Sequence, residues 1–204
     1  MKNRLNHTVA AATLAAGMML PFTMAQATNG LLPLGNGMTA HGLGGAGIAN
    51  PADAMSAVDN PALLGQTGGQ ISLGASLFNP NRSADIGGGA GYIESDSKYF
   101  VIPQFGWTGI INDKFNWGVM VTALGGMNTD YPKELFGQPA EMDLSGVIVA
   151  PTFSFKSGED TYVGLSILLG YEALNSTLPP TDNPAQGAPF ATNEDTATGT
   201  GIKL

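Results

Sequence analysis

Beyond residue 65 apolar and polar side chains alternate with a period of two, and five stretches carry no charge: residues 70–78, 100–111, 115–124, 144–155 and 161–171. In the third, Phe115, Trp117, Val119, Val121 and Ala123 alternate with Asn116, Gly118, Met120, Thr122 and Leu124. In the fifth, Val163, Leu165, Ile167, Leu169 and Tyr171 alternate with Gly164, Ser166, Leu168 and Gly170, in the same parity. Period two marks a strand with one greasy face. Each stretch has about the ~9–11 residues with which a tilted strand crosses a bilayer. A soluble sandwich alternates similarly, so the connections decide. Residues 112–114 and 157–160 are short links, 79–99, 125–143 and 172–198 are long ones, and the two kinds alternate strictly. That asymmetry predicts an all-β transmembrane barrel, antiparallel and up-and-down, with tight periplasmic turns and extended outer loops. Residues 199–204 open a sixth strand, and no terminal aromatic strand follows Leu204. The expectation is an N-terminal fragment: residues 69–204 form the first five to six strands of an incomplete, open barrel.

If odd-numbered residues face lipid, even-numbered ones face the lumen, and the loops fix which end of each strand is outermost. Near the outer end lie Phe78, Phe100, Ile102, Met120, Leu124, Leu144, Ile148 and Leu168; near the periplasmic end lie Gln70, Ser72, Thr108, Asn116, Thr152, Ser154 and Tyr162. Ile110 breaks the rule, and a bulge at Pro103 or Pro151 would change the register. A water-filled porin is polar throughout its lumen, so the apolar upper set reads as a ligand-binding site for greasy solutes. Packing at the strand ends is the plainer alternative. Aromatic residues gather at the segment ends as interfacial girdles do: Trp107, Phe115, Trp117, Phe153, Phe155 and Tyr162 near the short turns, Phe78, Tyr99, Phe100 and Tyr171 near the long loops.

Ahead of the strands, residues 35–64 are a block of Gly, Ala and Asn-Pro in which Met38, Leu43, Ile48, Met55, Val58, Leu63 and Leu64 are too scattered to bury a core of their own. Such a segment needs surroundings, and residues 28–68 read as a plug inside the barrel. Asn50-Pro51 and Asn60-Pro61 both look like helix starts, Asn capping free N–H groups and Pro sitting where no N–H is needed. Lumen-facing Gly74, Gly106, Gly118, Gly146 and Gly164 leave room for it. Residues 1–27 read as a cleaved secretory signal peptide: Lys2 and Arg4, an apolar run from Val9 to Leu20, then Ala25-Gln26-Ala27. The run is shorter than the ~20 residues of a spanning helix.

Composition narrows the function classes. The chain has 29 Gly, 13 Pro, no Cys, and 12% charged residues. Its 43% hydrophobic content argues against disorder. Without Lys2 and Arg4 it holds 6 basic against 16 acidic residues, a net charge of −10, so nucleic acid is excluded as a partner. Most of the acids sit in the long loops and read as a solvated outer face, with contacts to outer-membrane lipid, lipopolysaccharide or divalent cations open to a few of them. His41 is the one imidazole after the signal, and no G-x-S-x-G elbow is present, so neither a catalytic triad nor a metal cluster can be assembled and no cofactor is expected. Gly42-Leu43-Gly44-Gly45-Ala46-Gly47 fits G-x-G-x-x-G, but no strand precedes it, as dinucleotide binding requires.

That same glycine run, with Pro51-Ala52-Asp53-Ala54 and Asn60-Pro61-Ala62, resembles the N-terminal hatch of the FadL/TodX family of outer-membrane transporters. Gly125-Gly126-Met127-Asn128-Thr129 after a strand and Pro151-Thr152-Phe153 before a turn are similar to that family too. The resemblance implies a fourteen-stranded barrel in the outer membrane, plugged by a hatch, that passively takes up long-chain fatty acids or hydrocarbons. It also implies that Gly44, Gly47, Asn60, Pro61 and Ala62 belong to the hatch and its gating, and that Gly125 and Gly126 lie at a kinked strand where solute leaves sideways through the wall. A structural or adhesive barrel whose acidic loops bind partners is the alternative.

Overall fold

The computed structural model describes residues 33–85, 91–133, 139–178 and 191–204, with the backbone alone at 178 and 191–193. The signal-peptide reading falls on residues 1–27, outside the described residues. Six antiparallel strands form one sheet: β1 (Gln70–Phe78), β4 (Phe100–Ile110), β5 (Phe115–Tyr131), β6 (Ala140–Lys156), β7 (Tyr162–Leu178) and β8 (Ala191–Lys203). Two more, β2 (Ser83–Ala84) and β3 (Ile93–Glu94), pair as a small hairpin inside the first long connection. The order β1-β4-β5-β6-β7-β8 joins each strand to its neighbour in sequence, and β1 does not pair with β8. The sheet is open, an incomplete barrel.

Its surface is inverted relative to a water-soluble sheet. One face buries Gln104 (3% exposed), Thr108, Thr122, Thr152, Ser154 and Ser166, while the other exposes Leu73 (78%), Leu77, Val101, Trp107 and Ile167. Polar inside and apolar outside is what a barrel wall in lipid demands, and water would not select it. Even-numbered residues of β1, β4, β6, β7 and the part of β5 below residue 125 take the inner face as expected, with Ile110 (62%) and Phe78 (51%) exposed at the strand ends; beyond the Ala123/Gly125 bulge the parity of β5 reverses, Met127 lying opposite Leu144 and Thr129 opposite Met142. Trp107 and Trp117 pack edge-on at 5.0 Å and Phe115 with Phe155 at 5.0 Å, a belt beside the two short turns. Tyr162 leaves that belt, its ring lying against Gly65 of the N-terminal segment.

The charge-free stretches mark the strands' lower ends well and their upper ends poorly. β5, β6 and β7 each run 17 residues and carry Asp130, Glu141, Asp143 and Glu172. The sixth strand begins at Ala191, earlier than 199. Ladder hydrogen bonds are indifferent to side-chain charge, and charge is excluded only from the ~25 Å apolar band. The pairing therefore rises past the band, and much of what reads as long loop is strand. At the short turn after β4, Asn112 Oδ1 accepts from Lys114 N at 2.9 Å and Phe115 N at 3.1 Å, a side chain standing in for a backbone turn.

The bulge falls at Ala123/Gly125, not at Pro103 or Pro151. Gly125 has φ 137°, a conformation that residues with a Cβ rarely adopt. Pro103 stays in register with Ala75, and Pro151 with Val119.

Residues 33–67 lie against the inner face as short turns: α1 (Met38–Gly42), α2 (Ser56–Asp59), a 3-10 turn (Pro61–Leu63) and α3 (Leu64–Thr67). Met55, Ala57 and Leu64 pack with Met120 and Ala150 of the sheet into an apolar cluster, joined by Val58, Ile148 and Leu168. Asn60 caps as expected, its Oδ1 accepting from Ala62 N at 3.1 Å with Pro61 next in line. Asn50-Pro51 starts no helix. Asp53 holds the turn that follows, accepting from Met55 N at 2.9 Å and from Thr39 Oγ1 at 3.0 Å, and the helix begins at Ser56 with no side-chain cap. A methyl group on Gly164 would collide with the Pro61 carbonyl and Ala62 N; one on Gly106 would meet Ala54 and Met55. Gly74 and Gly118 likewise face Met38 and Leu64, whereas Gly146 faces Leu124 of the wall itself.

Candidate functional site

The wall has a discontinuity between β4 and β5. Their ladder climbs from Ile110↔Asn116 to Phe105↔Val121 and ends there. Both strands go on: β4 pairs with β1 up to Phe78↔Phe100, and β5 pairs with β6 up to Tyr131↔Ala140. Residues 100–104 of β4 and 122–129 of β5 therefore face each other without ladder bonds, and they carry no charged side chain. Contact resumes above, where Asp96 N donates to Asp130 O at 2.8 Å and Asp130 N to Ser95 Oγ at 3.0 Å. The result is a gap with a floor, a roof and two uncharged lips. Bare strand edges expose N–H and C=O groups, which in a membrane wall need a structural reason. The ladder ends two residues short of the Ala123/Gly125 bulge, and an extra residue of this kind bends a strand and disrupts its pairing.

The N-terminal segment meets this gap at its floor. Thr122 Oγ1 donates to Asn36 Oδ1 at 2.9 Å, and Gly37 N donates to Gln104 Oε1 at 3.0 Å. Asn36 Nδ2 in turn donates to Asp59 Oδ1 at 2.7 Å. Elsewhere the segment is tied by Ala54 N to Ser72 Oγ at 3.1 Å, by Lys203 Nζ donating to Val58 O at 2.7 Å, and by the His41 ring between Gly35 O and Ser76 Oγ. Electrostatically the gap is quiet. An ion pair, Lys98 with Glu94 at 2.7 Å, belongs to the first outer connection. There the Lys98 ammonium holds the Glu94 carboxyl below its ordinary range, and Glu94 in return raises Lys98. Among the described residues no group of three metal-ligating side chains occurs.

A family model described as outer membrane protein transport protein (OMPP1/FadL/TodX) matches residues 7–201. The chain belongs to this family. A solved structure, that of a Pseudomonas aeruginosa FadL homologue, aligns with this FadL/TodX chain at a TM-score of 0.57 and 15% identity, covering 84% of this chain and 48% of its own. The chain thus spans about half the length of that relative, and the likeness concerns the fold. No curated protein matches.

The eight upper-lumen residues of this FadL/TodX chain do not form one pocket. Met120 is fully buried in the cluster with the N-terminal segment, and Ile148 and Leu168 pack against that cluster. Phe78 and Phe100 are partners in register with rings 6.4 Å apart, the Arg82 guanidinium sits 5.6 Å above the Phe100 ring, and Ile102 lies next below on the same face. Leu124 packs on Gly146, and Leu144 is opposite Met127. Gly125 and Gly126 border the gap at the bulge. Gly44 takes a left-handed φ of 66° with open space around it, and Gly47 abuts the Asp59 carboxylate. Sequence reasoning missed Asn36, Gln104 and Thr122. The signal was present for the strand pair: both are polar, both stand at inward positions, and both lie in charge-free stretches.

Proposed function

We propose that this chain is part of a passive outer-membrane transporter for hydrophobic solutes, long-chain fatty acids or hydrocarbons, with residues 28–68 as its hatch and the β4–β5 gap as a side exit into the membrane. One observation carries the reading: the β4–β5 ladder stops at Phe105↔Val121 while the pairing on either side of it continues. An axial pore is obstructed by residues 33–67, so a greasy solute gains from leaving sideways, where it passes from the apolar upper part of the lumen into lipid. Phe100 and Ile102 line the approach on β4, and the lips present no ionised side chain to an apolar passenger. Entry is from the outer side, where the long connections lie, after export directed by residues 1–27 and their removal. Hatch movement regulates the passage, with Asn60, Pro61 and Ala62 as its anchor.

Uptake of a labelled long-chain fatty acid and of a labelled alkane by cells carrying the full-length protein tests this directly. Uptake of at least one should exceed that of cells lacking the protein. Equal uptake of both with and without it would assign the chain a structural or adhesive part instead.

A further inference from the structure

We infer that Asn36 and Gly37 stand in for the missing Gln104–Thr122 rung, so that seating the N-terminal segment holds the β4–β5 gap apart and withdrawing it lets the two strands pair. Continuing the register one step beyond Phe105↔Val121 would set Gln104 opposite Thr122. Both side chains are 3% exposed on the inner face. Residues opposite each other in an antiparallel pair are near enough to interact directly. These two do not. Each is engaged by the segment: the Thr122 hydroxyl by the Asn36 carbonyl oxygen at 2.9 Å, the Gln104 carbonyl oxygen by the Gly37 N–H at 3.0 Å.

The junction is built for this contact. Gly37 has φ 89°, and a methyl group there would strike Met55 Cβ and approach the Asp53 carboxylate, so only glycine brings the N–H to Gln104. Asn36 spans wall and hatch, since its Nδ2 holds the Asp59 carboxylate at the end of α2. Yet the seated state leaves two polar atoms sealed from solvent with no partner among the described residues, Gln104 Nε2 and Asp59 Oδ2. Such atoms are costly to leave unpaired, so an arrangement that gives Gln104 a partner gains on that count. When Asn36 and Gly37 leave, the Thr122 hydroxyl and the Gln104 amide lose their partners, and each is the other's nearest replacement. Pairing them extends the ladder upward and narrows the gap from its floor. The segment's seat and the width of the opening are thereby coupled. If the opening is the side exit, as the function proposed above has it, a displaced plug and a wide exit exclude each other.

The chain has no cysteine, so a reporter pair can be placed without competing thiols of its own. Pro103→Cys with Ala123→Cys marks the following rung on the outer face and leaves Asn36, Gly37, Gln104 and Thr122 intact. Paired antiparallel positions have Cα atoms ~4.5–5.5 Å apart, inside the ~4.4–6.8 Å that a disulfide requires. The full-length protein, with this pair as its only cysteines, is oxidised in isolated outer membranes with a membrane-permeant copper catalyst. Disulfide formation should be slow with Asn36 in place and faster by about tenfold with Asn36→Ala, the shift expected from losing a hydrogen bond that tips two arrangements. Asp59→Ala, which removes only the anchor behind Asn36, should accelerate it in the same direction and serves where Asn36→Ala fails to assemble. Equal or slower rates in both variants would overturn the coupling. Faster disulfide formation in cells that take up neither fatty acid nor alkane would keep the coupling and sink the transport reading.

Discussion

A single side chain does more at Asn60 than cap a turn. Its Oδ1 accepts from Ala62 N at 3.1 Å, and its Nδ2 donates to Ile48 O at 3.0 Å, joining the glycine-rich stretch to the 3-10 turn. Losing a cap costs ~1 kcal/mol. That is small beside the six-stranded sheet but large for a segment whose apolar contacts come mainly from Met55, Leu63 and Leu64. Asn60→Ala in the full-length protein should leave heat-resistant barrel migration intact while altering solute uptake or admitting small polar solutes. Unchanged uptake with a closed pore would reduce Asn60 to ordinary capping. Gly164→Ala offers the opposite lever, because the added methyl meets backbone at Pro61 and Ala62 and has nowhere to go. It should loosen the segment without touching any residue of it, read as faster protease cleavage between residues 44 and 64. Unchanged cleavage would mean that the turn can shift to accommodate a Cβ. The Asn60 cap was legible because its chemistry is local to three consecutive residues. The Asn50-Pro51 start failed because the chain stays irregular through Asp53, whose carboxylate draws Met55 N and Thr39 Oγ1 into a turn, and the helix begins only at Ser56.

Among the elements, β5 is the one that departs from a regular wall strand. Its lower half pairs on both sides, whereas beyond Val121 it is held by β6 alone until Asp130 meets the first outer connection. The bend rests on Gly125 at φ 137°, where a β-branched residue would be strained by ~1–3 kcal/mol. Gly125→Val should therefore displace or remove the bulge. If the bulge is what parts the lips, the Pro103→Cys/Ala123→Cys pair will cross-link faster in that background and uptake will fall. An unaltered cross-linking rate would locate the cause of the gap in the N-terminal segment alone. Strand starts beside the turns were readable because the turn residues are themselves diagnostic, as at Asn112. The upper ends were not, since a strand above the apolar band gains nothing from being uncharged. The missing rung was only half legible: Gln104 and Thr122 stand out as inward polar residues in charge-free stretches, but it takes the register to set them opposite each other.

For the molecule as a whole, the inverted surface fixes which face meets lipid but not which end meets the outside. That second choice rests on the connections. After β4 and β6 the chain turns back within a few residues, at Asn112 to Lys114 and at Ser157 to Asp160, whereas β1 leads into a connection that builds its own hairpin. The tall ends of β5, β6 and β7 bear Asp130, Glu141, Asp143 and Glu172, so the acidic rim and the long connections share one end of the sheet. Barrels of this class carry short turns on the periplasmic side and long loops outside. The belt at the turn end, Trp107 with Trp117 and Phe115 with Phe155, then marks the inner-leaflet interface. Single cysteines introduced into the full-length protein and probed on intact cells with an impermeant thiol reagent should react at Glu94 and Asp96, in the first long connection. They should stay unlabelled at Asp113 and Glu159 until the outer membrane is permeabilised. Labelling at Asp113 or Glu159 on intact cells, with none at Glu94, would turn the molecule over. The gap's roof at Asp130 would then face the periplasm, and a solute entering from outside would meet the N-terminal segment before it met Phe100.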